Sequence, residues 1–185
     1  MQKTDLITYT TDLGDQFAAA RLKIRAFKLG YRGTIIENHD VTQFSIIEGA
    51  FVLNKEAQDC LPGSAIHVAI VDPGVGSARR GIIIQTKRSF LVGPDNGVLV
   101  PTADEEEVKT VWKIDEKKIN GWISVTFHGR AVFTPAAVYL AQGSDPESFG
   151  CTRIDPTSLV KFTFEPGQVA HVDHYGTLKI LCHEI

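Results

Sequence analysis

Short apolar runs and helix-like spacings alternate along the chain. Five strands are predicted from the short runs, at Leu6–Thr10, Gly33–Glu37, Ile66–Val71, Gly81–Thr86 and Ser89–Val92. The run Ile66–Val71 is apolar almost throughout, as expected of a strand in the middle of a parallel sheet. These runs therefore predict a sheet with at least one strand covered on both faces.

Helices are predicted where apolar side chains recur at helical spacing. The first covers Gln16–Leu29. Its spaced positions are Phe17, Ala20, Ile24 and Phe27. The second begins near Phe44 and is closed by the turn Leu61-Pro62-Gly63. A third is predicted to begin at Thr134, whose side chain would cap the first turn, with Pro135 as the first helical residue.

Because strands and helices alternate, the sequence predicts an α/β domain in which a layered sheet is flanked by helices. The pattern changes near Glu165. Gln168–Ile180 follows a Pro-Gly turn and is predicted to form a β-hairpin. We therefore expect an α/β catalytic-type domain over residues 1–165, followed over residues 166–185 by the remnant or the start of a C-terminal β domain.

Composition narrows the class of protein. The 185 residues are 43% hydrophobic and 22% charged, which is ordinary for one globular domain. The net charge of -3 argues against a nucleic-acid partner, and no segment approaches the roughly 18 apolar residues of a membrane span. The three cysteines, Cys60, Cys151 and Cys182, are few and far apart, which suits reduced thiols and predicts a cytoplasmic protein.

Two candidate sites directly follow predicted strands. Asp12, in the segment TTDLG, could accept hydrogen bonds from a ribose diol, although on its own it fits a helix N-cap better. Asp72 and Arg79 share the loop VDPGVGSARR, whose glycines and proline indicate a fixed backbone path near a ligand. The simpler interpretation of that pair is a salt bridge that ties the loop.

Three further segments carry polar side chains of interest. His128, in TFHGR ahead of the third helix, could act as an acid, a base or an orienting group, although a single histidine is more often structural. Asn96, in the turn signal Pro-Asp-Asn-Gly, could line a pocket. The segment His171-Val172-Asp173-His174 would divide its ligands between two strand faces, which disfavours a metal site.

Four of these segments together resemble a known family. TTDLG, VDPGVGSARR, GPDNGVL and TFHGR, in this order, resemble the S-adenosylmethionine hydroxide adenosyltransferases, the hydrolytic relatives of the adenosyl fluorinases and chlorinases. The resemblance runs from about Ile7 to Tyr175. It implies a homotrimer with active sites between subunits, in which water attacks the ribose C5′ of S-adenosylmethionine to give adenosine and methionine.

The resemblance also assigns residues. It implies that Asp72, Arg79 and His128 are the catalytic set and that Asp12 binds the ribose. The other residues expected to contact substrate are Asn96, Phe127, Asp173 and Tyr175. Because the sulfonium is already a good leaving group, we expect no metal and no cofactor. A carboxylate about 4 Å from a chloride would repel it by roughly 4 kcal/mol at an effective dielectric constant of 20, so water is the expected nucleophile.

Departures from the family pattern leave two alternatives open. Gln43 stands where the family usually has a histidine, Ala131 follows the HGR triplet in place of an aspartate, and Thr177 replaces an asparagine in a D-x-F-G-N-like element. Most of the C-terminal β domain, which by the resemblance supplies much of the adenine pocket, has no counterpart here. The alternatives are therefore a non-catalytic subunit that binds adenosine or S-adenosylmethionine, and a halide-using adenosyl transferase.

Overall fold

The computed structural model describes residues 3–14, 16–121, 126–163 and 165–181. Within these residues the main sheet has seven strands: β1 Leu6–Thr11, β2 Thr34–Asn38, β3 Ala65–Ile70, β4 Gly81–Thr86, β5 Phe90–Pro94, β6 Val108–Lys113 and β7 Thr152–Ile154. The helices are α1 Gln16–Lys28, α2 Ile46–Asp59, α3 Val100–Glu105, α4 Glu116–Asn120 and α5 Thr134–Ala141. The predicted hairpin is present as β8 Val169–Val172 and β9 Leu178–Ile180.

The sheet combines a parallel half and an antiparallel half. Its strand order is β2-β1-β3-β5-β4-β6-β7, with β2, β1, β3 and β5 parallel and the remaining pairs antiparallel. Every residue of β3 is buried, which confirms its predicted central position. The mixed α/β class, with helices against a layered sheet and a short C-terminal hairpin, is confirmed.

Apolar side chains fill both faces of the sheet. On one face, Leu22 and Ala26 of α1 pack with Val138 and Leu140 of α5. On the other face, Ala50 and Leu53 of α2 pack with residues that follow β5. The carboxyl ends of the parallel strands emerge between these two layers, which is where α/β sheets usually bind ligands.

The large apolar side chains whose spacing predicted α1 lie on the exposed face of the helix. Phe17, Ile24 and Phe27 are 71%, 55% and 62% exposed. The small stripe that includes Leu22 and Ala26 is the one that is buried against the sheet. Helical spacing therefore identified the helix correctly, but it did not distinguish the core-facing side from a second apolar side.

The predicted N-cap at Thr134 is wrong. A π-helical turn, Gly129–Phe133, precedes α5, and Thr134 continues the helix with φ −61° and ψ −48°. Its hydroxyl is fully buried and accepts a 3.0 Å hydrogen bond from the Tyr9 hydroxyl. Because Pro135 has no N–H to continue an α-helical bond pattern, a wider preceding turn accommodates it.

The hairpin packs on α2. His171 Nδ1 of β8 lies 2.6 Å from Glu48 Oε1, and its ring stacks on Phe51 with centroids 6.1 Å apart. These contacts matter because an isolated two-stranded hairpin has little stability of its own.

The domain boundary expected between residues 165 and 166 stays a prediction. Among the described residues, no helix is long and apolar enough to cross a membrane.

Candidate active site

Asp72, Arg79 and His128 meet in one cluster. Arg79 Nη2 donates a hydrogen bond to Asp72 Oδ2 and lies 2.8 Å from His128 Nδ1. Asp72 and Arg79 flank the turns of one loop, which is held by hydrogen bonds from Val75 N to Asp72 O at 3.2 Å and from Ser77 N to Gly74 O at 3.1 Å. The three side chains that the resemblance names as the catalytic set are therefore in contact with one another.

The cluster is removed from water. The side chains of Asp72 and Arg79 are 7% and 8% exposed, and that of His128 is 2% exposed. Burial raises the pKa of Asp72 above its ordinary value, while the charge and hydrogen bond of Arg79 act in the opposite direction. An aspartate in this setting binds a proton more readily than a surface aspartate does.

Asp72 has one oxygen with unused hydrogen-bonding capacity. Oδ2 is taken by Arg79, whereas Oδ1 is buried and forms no hydrogen bond with the described residues. The Gly74 amide lies close enough to the carboxyl to lower its pKa, but it does not form a hydrogen bond to Oδ1. A buried carboxylate oxygen without a donor costs free energy, so such an atom usually marks the position of a water or a ligand group. The carboxylate is thus anchored on one side and able to accept a proton on the other.

The contacts of His128 favour one tautomer. A guanidinium only donates, so the 2.8 Å contact with Arg79 makes Nδ1 the acceptor and places the proton of the neutral ring on Nε2. Glu116 Oε1 of α4 lies 3.5 Å from the same Nδ1. The sequence offered no signal for Glu116, because α4 is a single short helix.

Two phenylalanines at the cluster have unusual backbones. Phe127 has φ 50° and Phe44 has φ 65°, a region that bulky residues rarely adopt. Phe127 directly precedes His128 and the π-helical turn, and the Phe44 amide donates a 2.8 Å hydrogen bond to Asp12 Oδ2. Strained backbone of this kind and π-helical turns both concentrate at functional sites.

A cleft of about 350 Å³ lies beside the cluster. Of the residues predicted from the sequence, Asp12, Asp72, Phe127 and His128 line it. Arg79 lies behind Asp72. Asp12 Oδ2 accepts a hydrogen bond from the Phe44 amide. The capping role that the isolated motif favoured stays a prediction, because residue 15 lies outside the described residues. Residues that the sequence did not single out as site residues also line it: Phe17, Arg21, Gln43 and Phe44.

Three residues predicted to contact substrate lie outside this cleft. Asn96 donates to Val71 O at 2.8 Å and accepts from Val98 N at 3.2 Å, so its amide fixes the backbone just before Asp72. Asp173 accepts from the hairpin amides of Tyr175 and Thr177, and Tyr175 is 91% exposed at the tip. For all three, contact with substrate stays a prediction.

The side chains of the C-terminal segment that were considered as metal ligands make other contacts. His171 is paired with Glu48, and Asp173 is occupied by the hairpin turn. Over the described ranges, no group of three or more histidine, cysteine or acidic side chains is placed to hold a metal ion.

The fold and the cleft define an α/β protein with a small-molecule site at the carboxyl edge of its parallel strands, built around a buried Asp-Arg-His cluster. The chain belongs to the S-adenosylmethionine hydroxide adenosyltransferase family, because residues 7–150 match that family's N-terminal domain. This match covers most of the chain and includes all three residues of the cluster.

Known relatives agree with this assignment. The chain is 36% identical over 183 residues to the (R)-S-adenosyl-L-methionine hydrolase of Methanocaldococcus jannaschii, covering 94% of this chain and 65% of that protein. It is 34% identical to the protein of the same name from Salinispora tropica, covering 97% of this chain and 73% of the relative. The chain therefore spans roughly two thirds to three quarters of the length of these relatives.

Solved structures show the same fold. A crystal structure of an uncharacterized conserved protein from Thermotoga maritima superposes with a TM-score of 0.85 at 29% identity, covering 93% of this chain and 69% of that chain. A conserved hypothetical protein from Thermus thermophilus superposes with a TM-score of 0.75 at 22% identity, over 96% of this chain and 71% of that one. The second likeness concerns the fold alone.

Proposed function

We propose that the protein hydrolyses S-adenosyl-L-methionine to adenosine and L-methionine. The observation that carries the proposal is the buried Asp72 carboxylate, held on one oxygen by Arg79 and lacking a described donor on the other. The family match and the relatives named (R)-S-adenosyl-L-methionine hydrolase support the same reaction.

The proposed chemistry needs an activated nucleophile more than an activated leaving group. The bond between the sulfonium sulfur and C5′ breaks with its electron pair going to sulfur, so methionine leaves as a neutral thioether. For this reason the proposal includes no metal and no cofactor. The oxygen of water forms the new bond to C5′, and one of its protons has to be accepted by the protein.

We assign that proton to Asp72. Its free oxygen is the available acceptor, and the pKa raised by burial suits a group that takes up a proton. Arg79 holds the other oxygen and stabilises the hydroxide character of the attacking water, and His128 fixes Arg79 through Nδ1. Asp12, which lines the same cleft directly after β1, is assigned to the ribose diol.

Two other functions compete with hydrolysis. A non-catalytic subunit that binds adenosine or S-adenosylmethionine would use the same cleft without releasing adenosine. A halide-using adenosyl transferase is disfavoured by Asp72, since an ionised carboxylate at the nucleophile position repels chloride.

One experiment separates the three. The purified protein is incubated with S-adenosyl-L-methionine in ¹⁸O-labelled water, and the products are resolved by chromatography and mass spectrometry. Hydrolysis predicts equimolar adenosine and methionine, with solvent oxygen in the 5′-hydroxyl group. Formation of 5′-chloro-5′-deoxyadenosine in added chloride would instead support the transferase. Binding without either product would support the non-catalytic subunit.

We also propose a homotrimer with sites between subunits. Apolar side chains that single-chain packing leaves exposed support it: Phe17, Ile24 and Phe27 on α1 and Val172 and Leu178 in the hairpin. In such an assembly the hairpin of one subunit could bring Asp173 and Tyr175 to a neighbour's cleft. Light scattering should report the trimer, and a stable monomer across micromolar concentrations would contradict it.

We also propose a cytoplasmic location. The free thiols Cys60 and Cys151 support it.

A further inference from the structure

Arg21 lies in the cleft without any assigned role. It lies four residues after Phe17 on α1. It lines the same cleft as Asp12, Asp72 and His128. Its guanidinium carbon lies 5.6 Å from the centre of the Phe17 ring and 5.2 Å from that of Phe127. The two aromatic rings therefore hold a cation at the cleft wall.

The guanidinium has charge and donors to offer. Within the described part of the chain, its contacts are these two rings, with no carboxylate or carbonyl acceptor. Arg79, by contrast, is bound to Asp72, and Arg80 is bound to Asp95 at 2.6 Å. Contact with aromatic rings does not use up the N–H donors of a guanidinium, and its planar fork suits bidentate binding of a carboxylate.

The charged side chains that line the cleft can be matched to groups of the proposed substrate. Among the described residues that line it, Arg21 is the one lysine or arginine, and Asp12 and Asp72 are its carboxylates. S-adenosylmethionine has a single negative group, the α-carboxylate of its amino-acid end. With the ribose assigned to Asp12 and the reacting carbon to Asp72, Arg21 is the cation on this wall that could pair with that carboxylate.

We propose that Arg21 binds the α-carboxylate of the substrate and thereby selects the amino-acid end. The proposal rests on the proposed function for the identity of the substrate. Phe17 and Phe127 orient the guanidinium so that its N–H edge faces the ligand. The strained backbone of Phe127 then has a physical use, because it places one ring against Arg21 directly before His128.

The test uses ligands that cannot be turned over. S-adenosyl-L-homocysteine is a thioether and lacks the sulfonium leaving group, and its decarboxylated counterpart differs only by the missing carboxylate. Calorimetry should show the wild-type protein binding the carboxylated ligand about 10- to 100-fold more tightly, as expected for a charged hydrogen-bonded pair. Arg21→Met, which keeps apolar bulk between the rings, should bind both ligands with similar affinity.

Two matched variants separate charge from packing. Arg21→Lys keeps the charge but loses the planar fork, so its preference for the carboxylated ligand should be intermediate. Lys28→Met removes an exposed cation from the same helix outside the cleft and should preserve the full preference. Circular dichroism of each variant checks that the fold is retained.

The contradicting outcomes are specific. If Arg21→Met weakens both ligands equally, Arg21 serves packing alone and the inference is overturned. It is also overturned if the wild-type protein shows no preference or binds neither ligand. Adenosine release from S-adenosylmethionine is measured in parallel. If release is absent while the preference depends on Arg21, hydrolysis fails and the carboxylate site stands.

Discussion

Thr11 of β1 and Ile70 of β3 are direct partners in the parallel register. The two strands therefore release the chain at the same edge of the sheet, and Asp12 and Asp72 follow within two residues of this pair. A shift of the register by one residue would turn every side chain of the strand to the other face, so the pairing is strongly held. The arrangement of the two cleft carboxylates is thus a property of the sheet.

Replacing Asp72 by asparagine should remove most turnover. An amide keeps the shape and a hydrogen-bond acceptor but cannot take the proton of water, so kcat should fall about 100-fold or more while KM changes little. Steady-state release of adenosine measures both constants. Asp104→Asn, at an exposed position outside the cleft, is the control and should behave as wild type. Unchanged kcat in Asp72→Asn would exclude this carboxylate as the base.

The rate should fall on the acid side of the pH profile. Asp72 has to be ionised to accept a proton, and burial raises its pKa above the ordinary aspartate value. As pH falls through that raised pKa, the carboxyl becomes protonated and kcat/KM decreases, whereas it is retained at higher pH. The loss should begin at a higher pH than an ordinary aspartate would give. A flat acid side down to the ordinary aspartate range would contradict the assignment.

His67 should make folding stability depend on pH. It is buried in β3, with Nδ1 2.8 Å from the Thr8 hydroxyl, and burial lowers its pKa from 6.5 to about 4. Between these values the unfolded chain binds the proton and the folded one does not. Stability is therefore full above pH 6.5 and is lost as pH falls, by about 3 kcal/mol once both values are passed.

Chemical denaturation of the wild type and of His67→Gln at several pH values measures this dependence. Other acidic groups titrate in both proteins, so the difference between the two curves isolates the histidine. The variant should show the shallower decline between pH 6.5 and about 4. Parallel curves would show that His67 contributes nothing to the acid sensitivity.

Gly93 should tolerate no side chain. A Cβ built there would lie 2.6 Å from the carbonyl oxygen of Ala69, in the backbone of β3. Since neither strand can yield without disturbing the sheet, Gly93→Ala should lower the free energy of unfolding by about 1–3 kcal/mol. Gly74→Ala, whose Cβ would make ordinary contacts at 3.5 Å or more, is the control. Equal stability of the two variants would contradict the close approach.

Much of the fold could be predicted from local patterns. β4 was predicted with its observed bounds, α1 ends one residue earlier than predicted, and β3 is shifted by one residue toward the N-terminus. Other elements were not predicted: α3, α4, β6 and β7. The helices among these are too short to show a period, and β6 (VKTVWK), one strand from the edge of the sheet, shows no strict alternation of apolar and polar residues. Such segments adopt their structure because neighbours pair with them, a contribution that a local pattern does not contain.

The residues of the cleft likewise fall into those that local sequence predicts and those that only the packing brings together. Asp72 and Arg79 are seven residues apart in a glycine-rich loop, and loop chemistry alone indicates that they can face each other. His128 joins them from 49 residues beyond Arg79, and only the family resemblance connected it to them beforehand. The environment that leaves Asp72 Oδ1 without a donor is a matter of packing, which no spacing describes.

The packing of α1 and the environment of Arg21 show most clearly what the sequence pattern could not predict. Phe17, Ile24 and Phe27 marked a helix correctly, yet the face that meets the sheet is the one with Leu22 and Ala26. Periodicity reports which residues share a side of a helix, because that follows from the backbone repeat. Which side is buried, and which cation is left in a cleft with aromatic rings on either side, follows from how the elements pack together in three dimensions.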